Sequence, residues 1–109
     1  MDFNKETQEK VKEIQLKEQN LQMVLLQKQS FQIELSEIEN AISELDNSEG
    51  TTYKLIGQIL IKKDKESLKE ELQKKKKIIS LRIQSLEKQE EPLSQEIEEL
   101  RTSIMKSLN

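Results

Sequence analysis

The sequence predicts a mainly α protein: a long antiparallel two-helix coiled coil with one β-hairpin at the bend. Three observations carry this. Apolar residues recur at alternating steps of three and four through two long stretches, the signature of a helical seam. Between them lies one short run of β-branched and apolar residues split by a glycine, TTYKLIGQILIKKD (Thr51–Asp64). Nothing else in the chain reads as strand. The single domain, 1–109, is thus expected to comprise an N-terminal coiled-coil helix over 1–48, a hairpin over 51–63 and a C-terminal coiled-coil helix over 64–109.

The first seam visits Ile14, Lys17, Leu21, Val24, Lys28, Phe31, Leu35, Ile38, Ile42 and Leu45, apolar at every position but the two lysines. Such a run sustained over several heptads is what an a/d interface requires. Before it the pattern is weak, with Phe3, Val11 and Ile14 as the apolar landmarks. Asp46-Asn47-Ser48-Glu49-Gly50 breaks the period, and Gly50 is placed to close the helix by adopting positive φ.

Within the β-like segment, Gly57-Gln58 separates Tyr53-Lys54-Leu55-Ile56 from Ile59-Leu60-Ile61-Lys62. Glycine at the first central position suits a type II′ hairpin turn. Both arms put apolar residues on both faces of the ribbon. A two-helix stalk cannot cover both, a lone hairpin is marginal in water, and open edges invite pairing with other chains. The ribbon therefore reads as an assembly device, against the plainer alternative of a hairpin folded flat over its own helices.

Asp64 is placed to cap the second helix, with Glu66 near its positive end. The second seam runs Leu72, Lys76, Ile79, Ile83, Leu86, Glu90, Leu93, Ile97, Leu100 and Ile104. The polar positions Lys17, Lys28, Lys76 and Glu90 read as register-fixing defects, and Lys28 facing Glu90 across the seam is an attractive pairing. Pro92 removes one helical hydrogen bond and clashes with the preceding turn, so a kink is expected there, with Glu91-Pro92 restarting the distal segment. At about 1.5 Å per residue, helices of roughly 45 residues span some 65–70 Å, and a short connection brings both termini to one distal tip.

Composition narrows the function. The 109 residues are 36% charged, 33% hydrophobic and only 3% aromatic, too little apolar material for a conventional globular core. There is no cysteine and no histidine, which removes disulfides, thiolate metal sites and the commonest general base and metal ligand. No cofactor is expected. A net charge of −3 gives no reason to expect nucleic acid as a partner, no apolar run approaches membrane-spanning length, and MDFNKETQEK has no secretory h-region. The expected location is cytoplasmic.

Three segments, LLQKQSFQIELSEIENAISEL (Leu25–Leu45), TTYKLIGQILIKKDKESLKEEL (Thr51–Leu72) and LRIQSLEKQEE (Leu81–Glu91), resemble the prefoldin β subunit in its archaeal form. Their order, the single hairpin and the length agree with β-type subunits, whereas α-type subunits carry two hairpins. Pro92 and a short C-terminal end depart from the pattern. The resemblance implies a hexamer of two α and four β subunits, whose hairpins form a β-barrel in the oligomer. It also implies an ATP-independent holdase that captures unfolded client proteins at the coiled-coil tips and delivers them to a group II chaperonin. On this chain, Tyr53, Leu55, Ile56, Ile59, Leu60 and Ile61 would carry oligomerisation. Client binding would fall on Phe3, Val11, Ile14, Leu16, Ile97, Leu100, Ile104, Met105 and Leu108.

The physical reading of the tip agrees. Ile14, Ile97, Leu100 and Ile104 fit the seams, and their ordinary role is packing. Val11, Leu16, Met105 and Leu108 fall off the seam and are the better candidates for exposure, since flexible aliphatic and thioether side chains adapt to varied clients. A second off-seam cluster, Met23, Leu25 and Leu26, would line an inner cavity or brace a neighbouring subunit. Lys74-Lys75-Lys76-Lys77 and the acidic Glu96, Glu98 and Glu99 read first as solvated helix faces, with an acidic partner and a basic chaperonin surface as the sharper alternatives. The competing function is a structural scaffold or tether without client-holding activity. No nucleophile–base arrangement supports an enzyme.

Overall fold

The computed structural model describes residues 4–108. Helix α1 (Lys5–Asn47) leads through strands β1 (Tyr53–Ile56) and β2 (Ile59–Lys62) into helix α2 (Lys65–Leu108). The chain forms two compact units, Ser30–Ile83 and Met1–Gln29 with Gln84–Asn109.

Both helices begin on side-chain caps. The Asn4 carboxamide oxygen accepts from the Thr7 N–H at 2.7 Å, and the Asp64 carboxylate accepts from the Ser67 N–H at 3.1 Å, each satisfying an otherwise orphaned donor. Glu6 and Glu66 lie in the first turns and Lys106 in the last turn of α2, complementing the helix dipoles. α1 carries no basic residue in its own last turn. Cations come from α2 instead: Lys65 Nζ donates to the Ser48 carbonyl at 3.0 Å, and Lys69 pairs with Asp46 at 2.6 Å.

In the unit Ser30–Ile83, Ile38, Ile79 and Ile83 form a buried cluster, with Phe31, Leu35, Ile42 and Leu72 packed around it. Arg82 lies 5.6 Å over the Phe31 ring. Partners descend along α2 as they ascend along α1, Glu34 to Lys75 at 3.5 Å and Asp46 to Lys69 at 2.6 Å, so the helices are antiparallel. Two seam assignments change. Leu68 is buried and extends the seam one step before Leu72. Lys76 is exposed, because Leu72 and Ile79 both join the cluster and leave the lysine head in water.

The hairpin register pairs Tyr53 with Lys62, Lys54 with Ile61, Leu55 with Leu60 and Ile56 with Ile59. Gly57 has φ 60°, and no non-glycine residue among those described has positive φ. A type I′ turn needs positive φ at both central residues, so Gly57-Gln58 fits the expected II′ geometry. Gly50, at φ 95°, takes the left-handed conformation foreseen after α1.

In the other unit the helices again run antiparallel, with Thr7 near Ser107, Lys17 bound to Glu96 and Lys28 bound to Glu90. Val24, Leu86 and Ile97 are its buried apolar residues. The Lys28–Glu90 pairing posed by the sequence forms at 2.8 Å. Thr7 is only 4% exposed, so the seam continues from Ile14 back through Val11 to Thr7, steps of three and four that a polar residue had concealed. Val11 is accordingly half-buried, not off the seam. The expected restart at Glu91-Pro92 does not occur: α2 continues unbroken through Pro92. Pro92 and Lys88 are both exposed, where water can take the Lys88 carbonyl that the proline leaves unbonded.

Candidate functional site

The hairpin is apolar and uncovered. Alternation along the strands places Tyr53, Leu55, Leu60 and Lys62 on one face, and Lys54, Ile56, Ile59 and Ile61 on the other. Its six large apolar side chains are 45–66% exposed, Ile61 least and Ile59 most. A groove of about 470 Å³, lined by Ala41, Leu45, Tyr53, Leu55, Leu68 and Leu72, opens between ribbon and helices. The hairpin is therefore not folded flat over its own helices.

Polar contacts hold its foot. The Lys63 N–H donates to the Thr52 carbonyl at 3.0 Å, and the Thr52 hydroxyl donates to the Lys63 carbonyl at 2.6 Å, adding a rung below the strands. One carboxylate on α2, Glu71, then receives Lys54 on one oxygen and Lys63 on the other, the latter at 2.9 Å. Hydrogen bonds from Lys54 and then Lys63 hold the Glu71 carboxyl down at about 2, against an ordinary 4.5. Sequence reasoning passed over this anchor. Its available signal was parity, since Thr52 and Lys54 share a ribbon face with Ile61 and Lys63.

The residues assigned to client contact divide into two groups. Leu16, Met105 and Leu108 are exposed, Leu16 most, at 63%. Val11, Ile14, Leu100 and Ile104 are half-buried and Ile97 is buried, all on the interhelical seam. Phe3 lies outside the described residues. The same unit carries the exposed cluster Met23, Leu25 and Leu26. Ile33, Ile78 and Leu81, not singled out from the sequence, are exposed in the hairpin-bearing unit.

Polar pairs thread the seam near the chain ends. Lys10 Nζ donates to Ser103 Oγ at 2.6 Å, and the Thr7 and Ser107 hydroxyls lie 3.3 Å apart. Donating to Glu96 raises the pKa of Lys17, and donating to Glu90 does the same for Lys28, despite some opposing desolvation. Among the described residues, no helix is long and apolar enough to cross a membrane.

Paired antiparallel helices bearing one uncovered apolar ribbon define a helix–hairpin–helix coiled-coil protein. A family model described as "Prefoldin subunit" matches residues 8–109. The prefoldin β subunit of Thermococcus onnurineus (strain NA1) is 39% identical over 93 residues, covering 84% of this chain and 80% of that protein. That of Saccharolobus islandicus (strain L.S.2.15) is 38% identical over 97 residues, covering 87% and 76%. That of Pyrobaculum islandicum is 37% identical over 91 residues, covering 82% and 73%. The crystal structure of the prefoldin β subunit from Thermococcus strain KS-1 matches with a TM-score of 0.91 at 29% identity, over 99% of this chain and 96% of that one. The chain belongs to the prefoldin family, on its β-subunit side. That is a family of chaperones, not of enzymes.

Proposed function

We propose that the chain is the β subunit of a cytoplasmic hexamer of two α and four β subunits, an ATP-independent holdase for unfolded proteins. The single observation that best supports this is the hairpin, with six large apolar side chains 45–66% exposed on an eight-residue ribbon. Monomeric surfaces rarely leave such a patch open, and both strand edges keep hydrogen-bonding groups free for another chain. Tyr53, Leu55, Ile56, Ile59, Leu60 and Ile61 carry the joining of hairpins into a barrel. Non-native clients are held through Leu16, Met105 and Leu108, with Val11, Ile14, Ile97, Leu100 and Ile104 made available as the ends fray, and are passed to a group II chaperonin. Phe3 is assigned to the same surface from the sequence.

The test separates assembly from holding. Deleting roughly ten residues from each end removes frayable apolar surface while leaving the hairpin. Mixed with an α-type subunit, the truncated chain should reach the native mass of the full chain yet suppress aggregation of a heated enzyme less well. Undiminished suppression would sink the client assignment. If neither chain slows aggregation, the scaffold or tether reading takes its place.

A further inference from the structure

We infer that Glu71 is a positioning residue for assembly: it fixes the pose in which the hairpin is presented to neighbouring subunits. The inference rests on the assembly reading above and deepens it.

The apolar side chains of the hairpin are only partly covered by its own helices. Every large apolar side chain of β1 and β2 is exposed, and a groove separates the ribbon from Ala41, Leu45, Leu68 and Leu72. What ties the strands' side chains to α2 is a pair of ion pairs converging on one carboxylate. Lys54 comes from β1, and Lys63 from the rung just beyond β2. Both lysines lie on the same ribbon face by strand parity. Glu71 therefore selects that face at the foot and leaves Tyr53, Leu55 and Leu60 on the other.

The two attachments also oppose rotation. A single ion pair lets a ribbon swivel about one contact. Two lysines from the two arms of the hairpin, one on each carboxylate oxygen, define a line across the foot. Thr52 and Lys63 lock the strands to each other there through two hydrogen bonds, so the foot moves as one piece. Exposed ion pairs contribute little to stability, and the three side chains here are 34–41% exposed. Their consequence is preorganisation: a segment already held in its bound pose loses less freedom on association. In an assembly with four such chains the effect compounds, so that a loss of about threefold per subunit becomes roughly eighty-fold overall if the sites act independently.

The experiment is native mass spectrometry of the full chain titrated with an α-type subunit, run beside helix content and thermal unfolding of the chain alone. Glu71→Gln keeps the side chain's shape and removes its charge. It should raise the concentration needed for half-assembly at least tenfold while leaving helix content unchanged and shifting the unfolding midpoint little. Reversing all three charges, Glu71→Lys with Lys54→Glu and Lys63→Glu, should recover most of the assembly, which a merely structural glutamate would not predict. Leu60→Glu serves as the reference. If Leu60→Glu blocks assembly and Glu71→Gln assembles like the parent, the inference fails while the assembly reading stands. Normal assembly by Leu60→Glu overturns the assembly reading, and the inference with it.

Discussion

The two units are closed by different means. In Ser30–Ile83 the interhelical seam is a continuous apolar cluster around Ile38, Ile79 and Ile83, with ion pairs such as Glu34–Lys75 at its margins. In the unit that gathers both ends of the chain, the seam positions Thr7, Lys17, Lys28 and Glu90 are themselves polar. Lys28 pairs with Glu90 across the seam, while Thr7 meets Ser107, Lys17 reaches the exposed Glu96 and Lys10 bonds Ser103 beside it. Polar seam positions specify register at some expense of stability. One pair of helices thus encloses a firm seat beside the hairpin and a well-registered but more easily opened end. Frayed helix ends open at small free energy, and under the proposed holdase function that opening is what would bring Ile14, Leu100 and Ile104 to a client.

The largest effect should come from breaking the apolar unit. Ile79, only 3% exposed, is central to its cluster. Ile79→Ala removes buried methyl groups and leaves a cavity, a change that costs about 2–5 kcal/mol. Thr7→Ala in the other unit removes one hydroxyl contact to Ser107, a loss of about 1 kcal/mol. Denaturant unfolding of the two variants of the full chain measures both. If Thr7→Ala costs as much as Ile79→Ala, the contrast between the units is wrong.

A smaller effect, of opposite sign, should follow when the polar seam is made apolar. Replacing Lys28 and Glu90 together with leucine removes a half-buried ion pair in favour of apolar packing, an exchange that is often neutral or stabilising. The double variant should unfold at the same or a higher temperature than the parent. Lys28→Leu alone leaves Glu90 without its 2.8 Å partner and should unfold at a lower one. Thermal unfolding followed by circular dichroism orders the three chains. A single variant at least as stable as the double would mean that Lys28 and Glu90 are not coupled across the seam.

Much of this architecture was legible in the sequence because its determinants are periodic or local. Spacing alone marked the run from Ile14 to Leu45, and the Gly57-Gln58 break fixed the hairpin register. Asp64 and Gly50 each declared a helix boundary through their own conformational chemistry. What escaped notice was polar or long-range. Thr7 and Leu68 extend the seams, but threonine hid the first step and the nearby hairpin obscured the second. Pro92 suggested a restart because a proline's cost is judged locally, whereas long seams on either side carry α2 through it. The Glu71 anchor was illegible for a different reason: three charged residues in a chain that is 36% charged acquire meaning only when two strands bring Lys54 and Lys63 to one carboxylate.

That anchor also gives the finest test of the contrast, through pH. The Glu71 carboxyl is held at about 2, below its ordinary 4.5, by hydrogen bonds from Lys54 and Lys63. A depressed carboxyl pKa means that the anchored form is favoured above the ordinary value, and that its advantage is lost as pH falls from there through about 2. The pairs in the end-gathering unit respond at the other extreme. Lys17 and Lys28 are raised above 10.5, chiefly by the hydrogen bonds they donate to Glu96 and Glu90, so their contribution is complete below that value and fades as pH climbs through the raised ones. Lys69, hydrogen-bonded to Asp46 in the hairpin-bearing unit, follows the same alkaline course. A carbon-detected NMR titration of the glutamate carboxyls should place the Glu71 midpoint well below those of solvated glutamates, and Lys54→Ala with Lys63→Ala should return it towards the ordinary value. The amides of Thr52 and Lys63 should shift over the same acid range, and cease to do so in Glu71→Gln. A Glu71 midpoint near 4.5 in the parent chain would mean that the lysines do not hold it in solution, and the hairpin's pose would then need another cause.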